Sequence, residues 1–142
     1  MSAIAEGPEG LKAGLIPAED FYVFSPDMPR MRGRWIFRPD PSGHDYAISE
    51  WELTAAGYSD LHPHDEVSLI LEGELHIEVN GVEVVGRAGD TIRVPAGSVG
   101  RYWAPRYARM FGVYGPNPDG AESQSLSYWE IDEPTLNNGQ AS

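Results

Sequence analysis

The amino-acid sequence predicts an all-β protein, and three observations support this prediction. The 142 residues match the size of one compact domain. Sixteen glycines and twelve prolines interrupt the chain at short intervals. No stretch carries the long apolar repeat of an amphipathic helix, so short strands joined by turns fit the pattern better. We expect one domain over residues 1–142, with its folded core at about residues 30–132.

Segments rich in β-branched and aromatic residues predict the strands. They cover 34–38, 46–53, 67–71, 74–79, 82–85, 91–94, 101–103, 108–114 and 127–131. Nine strands in such a short chain are typical of a jelly-roll β-barrel. Residues 1–20 and the polar tail 137–142 flank this core, and we expect them to be loosely held terminal arms.

A β-hairpin is predicted at Asn80-Gly81, because this dipeptide suits a type I′ turn with positive φ at both central positions. The flanking strands are 74–79 and 82–85. Alternation along the first strand puts Leu75 and Ile77 on the buried face and His76 on the solvent face. We therefore expect His76 to lie outside any internal site.

Composition and charge limit the kinds of molecule that this protein is expected to bind. The formal net charge is −12 and the isoelectric point is near 4.5, which opposes binding to nucleic acid or to an anionic membrane. The absence of cysteine excludes disulfides and thiolate metal sites. The sequence has neither a signal-peptide pattern nor a long apolar run. We therefore expect a cytoplasmic protein with no nucleic-acid or membrane partner.

Two short blocks carry the chemistry. Residues 60–73 read Asp-Leu-His-Pro-His-Asp-Glu-Val-Ser-Leu-Ile-Leu-Glu-Gly, and residues 89–97 read Gly-Asp-Thr-Ile-Arg-Val-Pro-Ala-Gly. The pair resembles the two signature blocks of the cupin superfamily, and the resemblance covers about residues 46–115. It implies an RmlC-like cupin jelly-roll barrel. The segments 64–75, 88–90, 94–98 and 113–116 are similar to the ethanolamine-utilisation-type cupins.

The first block implies a set of metal ligands. Aligned on Gly73, the cupin pattern places its glutamate at Glu66, its second histidine at His62 and its first histidine at Asp60. Alternate residues of an extended strand share a face, so Asp60 and His62 can both point inward while a turn brings Glu66 back. Imidazole with carboxylates suits divalent iron, manganese, nickel or zinc.

The second block lacks its ligand, because Gly100 occupies the histidine position. Three alternatives stay open. The metal ligands are Asp60, His62 and Glu66, or they are His62, His64 and Glu66, or no metal binds and the cluster is an acid/base pair or a remnant of the fold. Two close carboxylates inside a barrel are costly unless a cation or the His62 imidazolium compensates them.

Other residues complete the predicted site. Gly100 leaves a space toward which Tyr102 points by strand parity, and Tyr102 and His64 are the candidates for moving a proton. The candidates for substrate binding are Trp51, Ser49, Ser68 and Gly100. The many aromatic rings favour a small organic ligand with an apolar body and a polar or charged end.

These residues predict a small metal-dependent enzyme that acts on a polar or carboxylate-bearing metabolite by lyase, isomerase, decarboxylase or dioxygenase chemistry. The alternative is a non-catalytic binding or scaffold cupin whose metal site has degenerated. Acetate-kinase-like activity, associated with some ethanolamine-utilisation cupins, is not expected because the chain has no glycine-rich phosphate loop and only one lysine, Lys12. The apolar segment 21–24 needs cover, and since cupins often exchange N-terminal strands, we expect a homodimer. Arginines at every second position from 30 to 34 form a stripe with three alternatives: it clamps a substrate carboxylate, it is a solvated edge, or it pairs with acidic residues of a second subunit.

Overall fold

The computed structural model describes residues 4–6, 12–38 and 45–132. Its ten strands are β1 (Ile4–Glu6), β2 (Lys12–Gly14), β3 (Tyr22–Val23), β4 (Met31–Phe37), β5 (Ala47–Leu61), β6 (Glu66–Val79), β7 (Val82–Arg87), β8 (Thr91–Val94), β9 (Val99–Tyr114) and β10 (Gln124–Glu130). The described residues contain no helix, and therefore none that could cross a membrane. The all-β prediction is confirmed.

Three long strands build the jelly-roll barrel. The main antiparallel sheet runs β3-β4-β5-β9-β6-β7, with β10 added to β5 and β8 added to β6. The first half of β5 pairs with β4 and its second half with β10. In the same way, β6 pairs first with β8 and then with β7. Strands β5, β6 and β9 therefore belong to both walls of the barrel.

The predicted breaks within β6 and β9 were wrong. Segments 67–71 and 74–79 form one strand, as do 101–103 and 108–114. Gly73 has a φ of 77° and lies where the pairing of β6 with β9 shifts register. Pro105 lies where the pairing of β9 with β5 shifts. Such bulges bend a strand without ending it, which curves the sheet into a barrel.

The hairpin prediction is confirmed. Val79 pairs with Val82, and Asn80 and Gly81 have φ angles of 52° and 80°. Leu75 and Ile77 are buried in the core, while the ring of His76 stacks on Trp103 on the outer face, with ring centroids 5.3 Å apart. The period-two pattern therefore predicted both faces of this strand.

The inward rows of the long strands form the core. Leu53, Ile70 and Met110 pack near the middle of the barrel with less than 2% exposure. The same rows continue into buried polar residues, which include Ser49 on β5 and Ser68 on β6. One part of the barrel interior is therefore filled by apolar side chains, and another part is lined by polar side chains.

Intramolecular ion pairs occupy the arginine stripe. Arg34 lies 3.2 Å from Glu50 and Arg32 lies 3.4 Å from Glu52, across the β4–β5 pair. Arg30 donates to the carbonyl of Ala55 at 3.1 Å. The stripe is thus explained within one chain, and the prediction of a contact with a second subunit is not needed for it.

The terminal predictions have different outcomes. Within the N-terminal arm, β1 pairs with β2 in a separate two-stranded sheet. The predicted C-terminal arm, 137–142, lies outside the described residues. His44, which we expect in a surface loop, also lies outside the described residues.

Candidate functional site

A cavity of about 660 Å³ opens inside the barrel. Aromatic side chains contribute to its walls, among them Trp35, Trp51, Tyr58, Tyr102 and Tyr114. The predicted residues Asp60, His62, His64 and Glu66 lie on the same cavity, together with the segment that leads from β9 into β10. An aromatic cavity of this size fits a small organic molecule.

Asp60, His62 and Glu66 meet at the floor of the cavity, as their spacing predicted. Asp60 is near the end of β5, His62 follows this strand, and Glu66 begins β6. The Nε2 atom of His62 lies 2.6 Å from Oδ2 of Asp60, and its Nδ1 atom lies 3.2 Å from Oε1 of Glu66. The first contact is a hydrogen bond, while the second lacks hydrogen-bond alignment. The imidazole therefore lies between two carboxylates.

Backbone contacts fix this arrangement. The carbonyl of His62 accepts a hydrogen bond from the amide of Gly97 at 2.8 Å. The next acidic residue, Asp65, accepts from the amide of Ala96 at 2.8 Å and from Nη2 of Arg93 at 2.8 Å. The turn between β5 and β6 is thereby tied to the loop between β8 and β9, which contributes the second sequence block.

Electrostatics favour an imidazolium at His62. Burial lowers the pKa of His62, but the hydrogen bond to Asp60 and the charges of Glu66 and Asp60 outweigh burial, and the net pKa is raised. The pKa of Glu66 is raised as well, because burial of this carboxyl outweighs the charge of His62 and the hydrogen bonds from Tyr102 and Ser68, which lower it. The compensation that two carboxylates require is thus supplied by the protein itself.

Tyr102 fills the space at Gly100. A Cβ atom at position 100 would lie 2.6 Å from the hydroxyl of Tyr102 and 2.8 Å from its Cζ. The hydroxyl donates to Oε1 of Glu66 at 2.8 Å, and Ser68 donates to Oε2 of the same carboxylate at 2.9 Å. Burial, followed by the charge of Glu66, raises the pKa of Tyr102 well above its ordinary range. Tyr102 therefore stays protonated and holds Glu66 in place.

The donor set has the right chemistry for a divalent metal, but its arrangement does not fit one. Within the described ranges no group of three or more His, Cys, Asp or Glu side chains is placed to hold a metal ion. The reason is local: both ring nitrogens of His62 face carboxylate oxygens, so a metal ion could reach either nitrogen only by displacing a carboxylate. The assignment of Asp60, His62 and Glu66, or of His64, as ligands stays a prediction, and we derive no chemical step through a metal.

His64 lies beside the cluster but is not part of it. Its ring centroid is 5.0 Å from that of His62, its Nδ1 atom contacts the carbonyl of Asp65 at 3.1 Å, and its Nε2 atom lies 3.4 Å from Oγ of Ser123. Burial, and then the nearby charge of His62, lower the pKa of His64. A neutral imidazole at the cavity wall can both accept and donate a proton.

The predicted substrate-binding residues divide into two groups. Trp51 and Ser49 line the cavity, and Ser49 shares a 2.6 Å hydrogen bond with the hydroxyl of Tyr114. Ser68 and Gly100 are not among its lining residues. They act indirectly, because Ser68 donates to Glu66 and Gly100 makes room for Tyr102.

Sequence reasoning missed part of the wall. Tyr58 and Tyr114 line the cavity. So do the following residues between β9 and the start of β10: Asn117, Gly120, Ala121, Glu122, Ser123 and Ser125. Strand parity could have found Tyr58, which is two residues before Asp60, and Tyr114, which is two residues after Gly112. No periodic signal marks the 117–123 loop, since it has no regular secondary structure.

A barrel of bent antiparallel strands with ionisable side chains on its inner wall defines a cupin-type protein. Residues 50–112 match the cupin domain family Cupin_2. Over 72 residues, or 51% of this chain, the sequence is 36% identical to the acetate kinase EutQ of Salmonella typhimurium. Residues 50–112 are thus similar to the cupin domain family, and the predicted resemblance is confirmed. The match spans only 28% of the length of that curated relative.

Solved structures show the same fold. The putative ethanolamine utilization protein Q of Salmonella typhimurium has a TM-score of 0.64 and 23% identity, with coverage of 82% of this chain and 94% of that chain. The EutQ protein of Clostridium difficile has a TM-score of 0.64 and 20% identity, with coverage of 83% and 96%. KdgF from Halomonas sp. has a TM-score of 0.58 and 16% identity, with coverage of 71% and 91%. At these identities the likeness establishes the fold alone.

Proposed function

We propose that this cupin binds a small organic molecule in its barrel and catalyses a proton transfer on it, the step shared by lyases and isomerases. One observation carries the proposal: Oδ1 of Asp60 is buried at the cavity floor and has no hydrogen-bond partner. A buried carboxylate oxygen without a donor is costly. A bound molecule that presents a proton to this oxygen would remove that cost.

The neighbours of Asp60 have supporting roles. The imidazolium of His62 fixes the carboxylate through Oδ2 and compensates its charge. Glu66 holds the other side of this imidazole, and Tyr102 and Ser68 hold Glu66. In this proposal Asp60 accepts a proton from the bound molecule and, once protonated, returns it at another atom of the same molecule. The neutral His64 lies at the cavity wall, where its Nε2 atom can accept a hydrogen bond from that molecule.

Deuterium incorporation tests the proposal directly. Small ketones and hydroxyketones are incubated with the protein in heavy water, and exchange at the carbon next to the carbonyl is followed by NMR. We expect exchange above the buffer rate for at least one compound, and a loss of about 100-fold or more in Asp60→Asn. A wild-type rate equal to that of Asp60→Asn across the panel would contradict proton-transfer catalysis.

A non-catalytic binding protein is the second candidate. The observation that favours it is the internal satisfaction of the floor, where Glu66 already accepts two hydrogen bonds and faces His62. Binding of a panel compound without exchange would support this candidate. The kinase activity named for the Salmonella typhimurium relative is not part of our proposal, because the sequence lacks a phosphate-binding loop and has a single lysine.

A further inference from the structure

We propose that the cavity floor recognises an uncharged polar head that carries a hydroxyl next to a carbonyl, and that any carboxylate of the ligand points toward the mouth. Asp60 would accept from the hydroxyl, and the indole N–H of Trp51 would donate to the carbonyl. This inference rests on the proposed role of the same cavity in binding a small molecule. It adds the class of ligand, its orientation and a role for the Trp51 nitrogen.

Two complementary atoms at the floor are left unpaired. The Nε1 atom of Trp51 is a donor and Oδ1 of Asp60 is an acceptor, and both are buried without a hydrogen-bond partner. The residues are 6% and 5% exposed and line the same cavity. A buried indole N–H normally finds an acceptor. Since the protein supplies no partner to either atom, the occupant of the cavity is expected to supply both.

A third unpaired atom of the wall, Nδ1 of His62, faces Oε1 of Glu66 at 3.2 Å, and further polar groups of the wall have hydrogen-bond partners. Tyr114 pairs with Ser49 at 2.6 Å. The hydroxyl of Tyr58, which is near Asp60, pairs with Ser125 at 2.7 Å and does not complete a hydrogen bond to Oδ1. Glu66 is saturated by the donors described above. Since Glu66 faces Nδ1 of His62, a ligand meets the free acceptor of Asp60 and the free donor of Trp51.

Charge sets the orientation. The floor contains two carboxylates and one imidazole, and no arginine or lysine. A ligand carboxylate placed there would face like charges in a poorly solvated space. Among the described residues that line the cavity, the one guanidinium belongs to Arg38, which lies 5.1 Å from the ring centroid of Trp35. An anionic group of the ligand is therefore best placed beside Arg38.

Three small probes separate these features. 2-Hydroxyacetophenone has an aromatic body, a carbonyl and an adjacent hydroxyl. Acetophenone lacks the hydroxyl. Mandelate carries a carboxylate in place of the uncharged carbonyl head. Dissociation constants are measured by NMR titration of the wild-type protein. We expect 2-hydroxyacetophenone to bind about tenfold more tightly than acetophenone. Mandelate should bind more weakly than either ketone.

Variants assign each contact. Trp51→Phe removes the N–H and keeps a ring, so it should weaken both ketones by about fivefold to tenfold. The matched control, Trp35→Phe, changes another tryptophan of the same wall whose nitrogen is not among the buried unpaired atoms, and it should change binding by less than about twofold. Asp60→Asn should remove the preference for the hydroxyketone and leave acetophenone binding unchanged. Thermal unfolding of each variant verifies that it is folded.

Specific outcomes would overturn the inference. The inference is wrong if mandelate binds as tightly as 2-hydroxyacetophenone, or if Trp51→Phe and Trp35→Phe weaken binding equally. It is also wrong if the hydroxyketone does not bind at concentrations up to about 10 mM. The outcome for catalysis is separate. If the probes are discriminated as expected but no deuterium exchange occurs, the recognition stands and the proton-transfer function fails. If exchange occurs in Asp60-dependent form but the probes are not discriminated, the function stands and the recognition fails.

Discussion

Tyr102 is buried and Tyr114 is partly buried on the same strand, and their hydroxyls have different partners. Tyr102 donates to the carboxylate of Glu66, while Tyr114 pairs with the neutral hydroxyl of Ser49. Hydrogen bonds to charged groups contribute more than neutral ones, and a buried acceptor left unpaired adds its own cost. These two side chains therefore allow a matched measurement at the cavity wall.

We expect Tyr102→Phe to lower the free energy of unfolding by about 1–3 kcal/mol and Tyr114→Phe by about 0.5–1.5 kcal/mol. Both substitutions keep the ring and remove one hydroxyl. Urea denaturation at neutral pH measures the two losses. An equal loss in both variants would show that the Glu66 contact contributes no more than the neutral one.

Metal content is the direct test of the ligand predictions. Because His62 already directs both nitrogens at carboxylates, we expect protein purified without a histidine tag to contain less than about a tenth of an equivalent of metal and to gain no thermal stability from added divalent ions. Elemental analysis and thermal unfolding measure both quantities. About one equivalent of iron, manganese, nickel or zinc would reverse this expectation, and Asp60→Ala and His64→Ala would then identify the ligand as the variant that loses metal.

The sequence predicted which residues form the site better than it predicted the contacts between them. Alternation and the spacing of the first block put Asp60, His62 and Glu66 together, because such local geometry depends on residues close in sequence. The partner of Tyr102 depends instead on how β9 lies beside β6, where Ile77 faces Tyr102. That register is a long-range property, so the hydrogen bond to Glu66 and the free nitrogen of Trp51 could not be predicted.

Strand β10 is attached to the barrel through a close contact between Trp129 and Gly57 of β5. A Cβ atom at Gly57 would lie 2.1 Å from Cζ2 of Trp129 and 2.2 Å from Cε2. The indole ring therefore lies directly on the glycine, and the guanidinium of Arg101 lies over its other side, 4.9 Å from the ring centroid. The absence of a side chain at Gly57 is a packing requirement of this edge.

We expect Gly57→Ala to lower the free energy of unfolding by about 1–3 kcal/mol, because the added methyl group must displace the Trp129 ring. Hydrogen exchange should show the loss of protection in the amides of β10. The control is a double-variant cycle with Trp129→Ala, in which Gly57→Ala should cost much less. The same cost in both backgrounds would show that the strain arises elsewhere.

At the level of strands, the sequence located β4 to β10 but not β1, β2 or β3, and it divided β6 and β9. Gly73 and Pro105 are residues that commonly end strands, and both lie at bulges. Residues 54–61 were missed because small residues such as Ala55 and Gly57 give a weak strand signal. Their pairing with β9 and β10 decides the conformation, and a local pattern does not contain that information.

Stability of the whole molecule should depend on pH through His62. Its pKa in the folded protein lies above the ordinary value of 6.5, so the folded state holds this proton more tightly than the unfolded chain does. The resulting stabilisation is complete below pH 6.5 and is lost as the pH rises through the raised pKa. The raised pKa of Glu66, starting from 4.5, acts in the same direction.

We therefore expect the free energy of unfolding to fall as the pH rises above about 6.5 and passes through the raised pKa of His62. Chemical denaturation at several pH values measures this slope, and His62→Gln should reduce it. His64→Gln is the matched control, because the pKa of His64 is lowered from 6.5 and its effect on stability has the opposite sign. A slope that is unchanged by His62→Gln would contradict the assignment of an imidazolium at this position.

The sharing of β5, β6 and β9 between both walls has a consequence for access to the cavity. Asp60, Glu66 and Tyr102 lie on these three strands, so the walls cannot hinge apart without breaking the site that they carry. The irregular segment 117–123 also lines the cavity and belongs to no strand. We therefore expect the rate of ligand release to respond more to substitutions in this segment than to conservative changes in the three long strands.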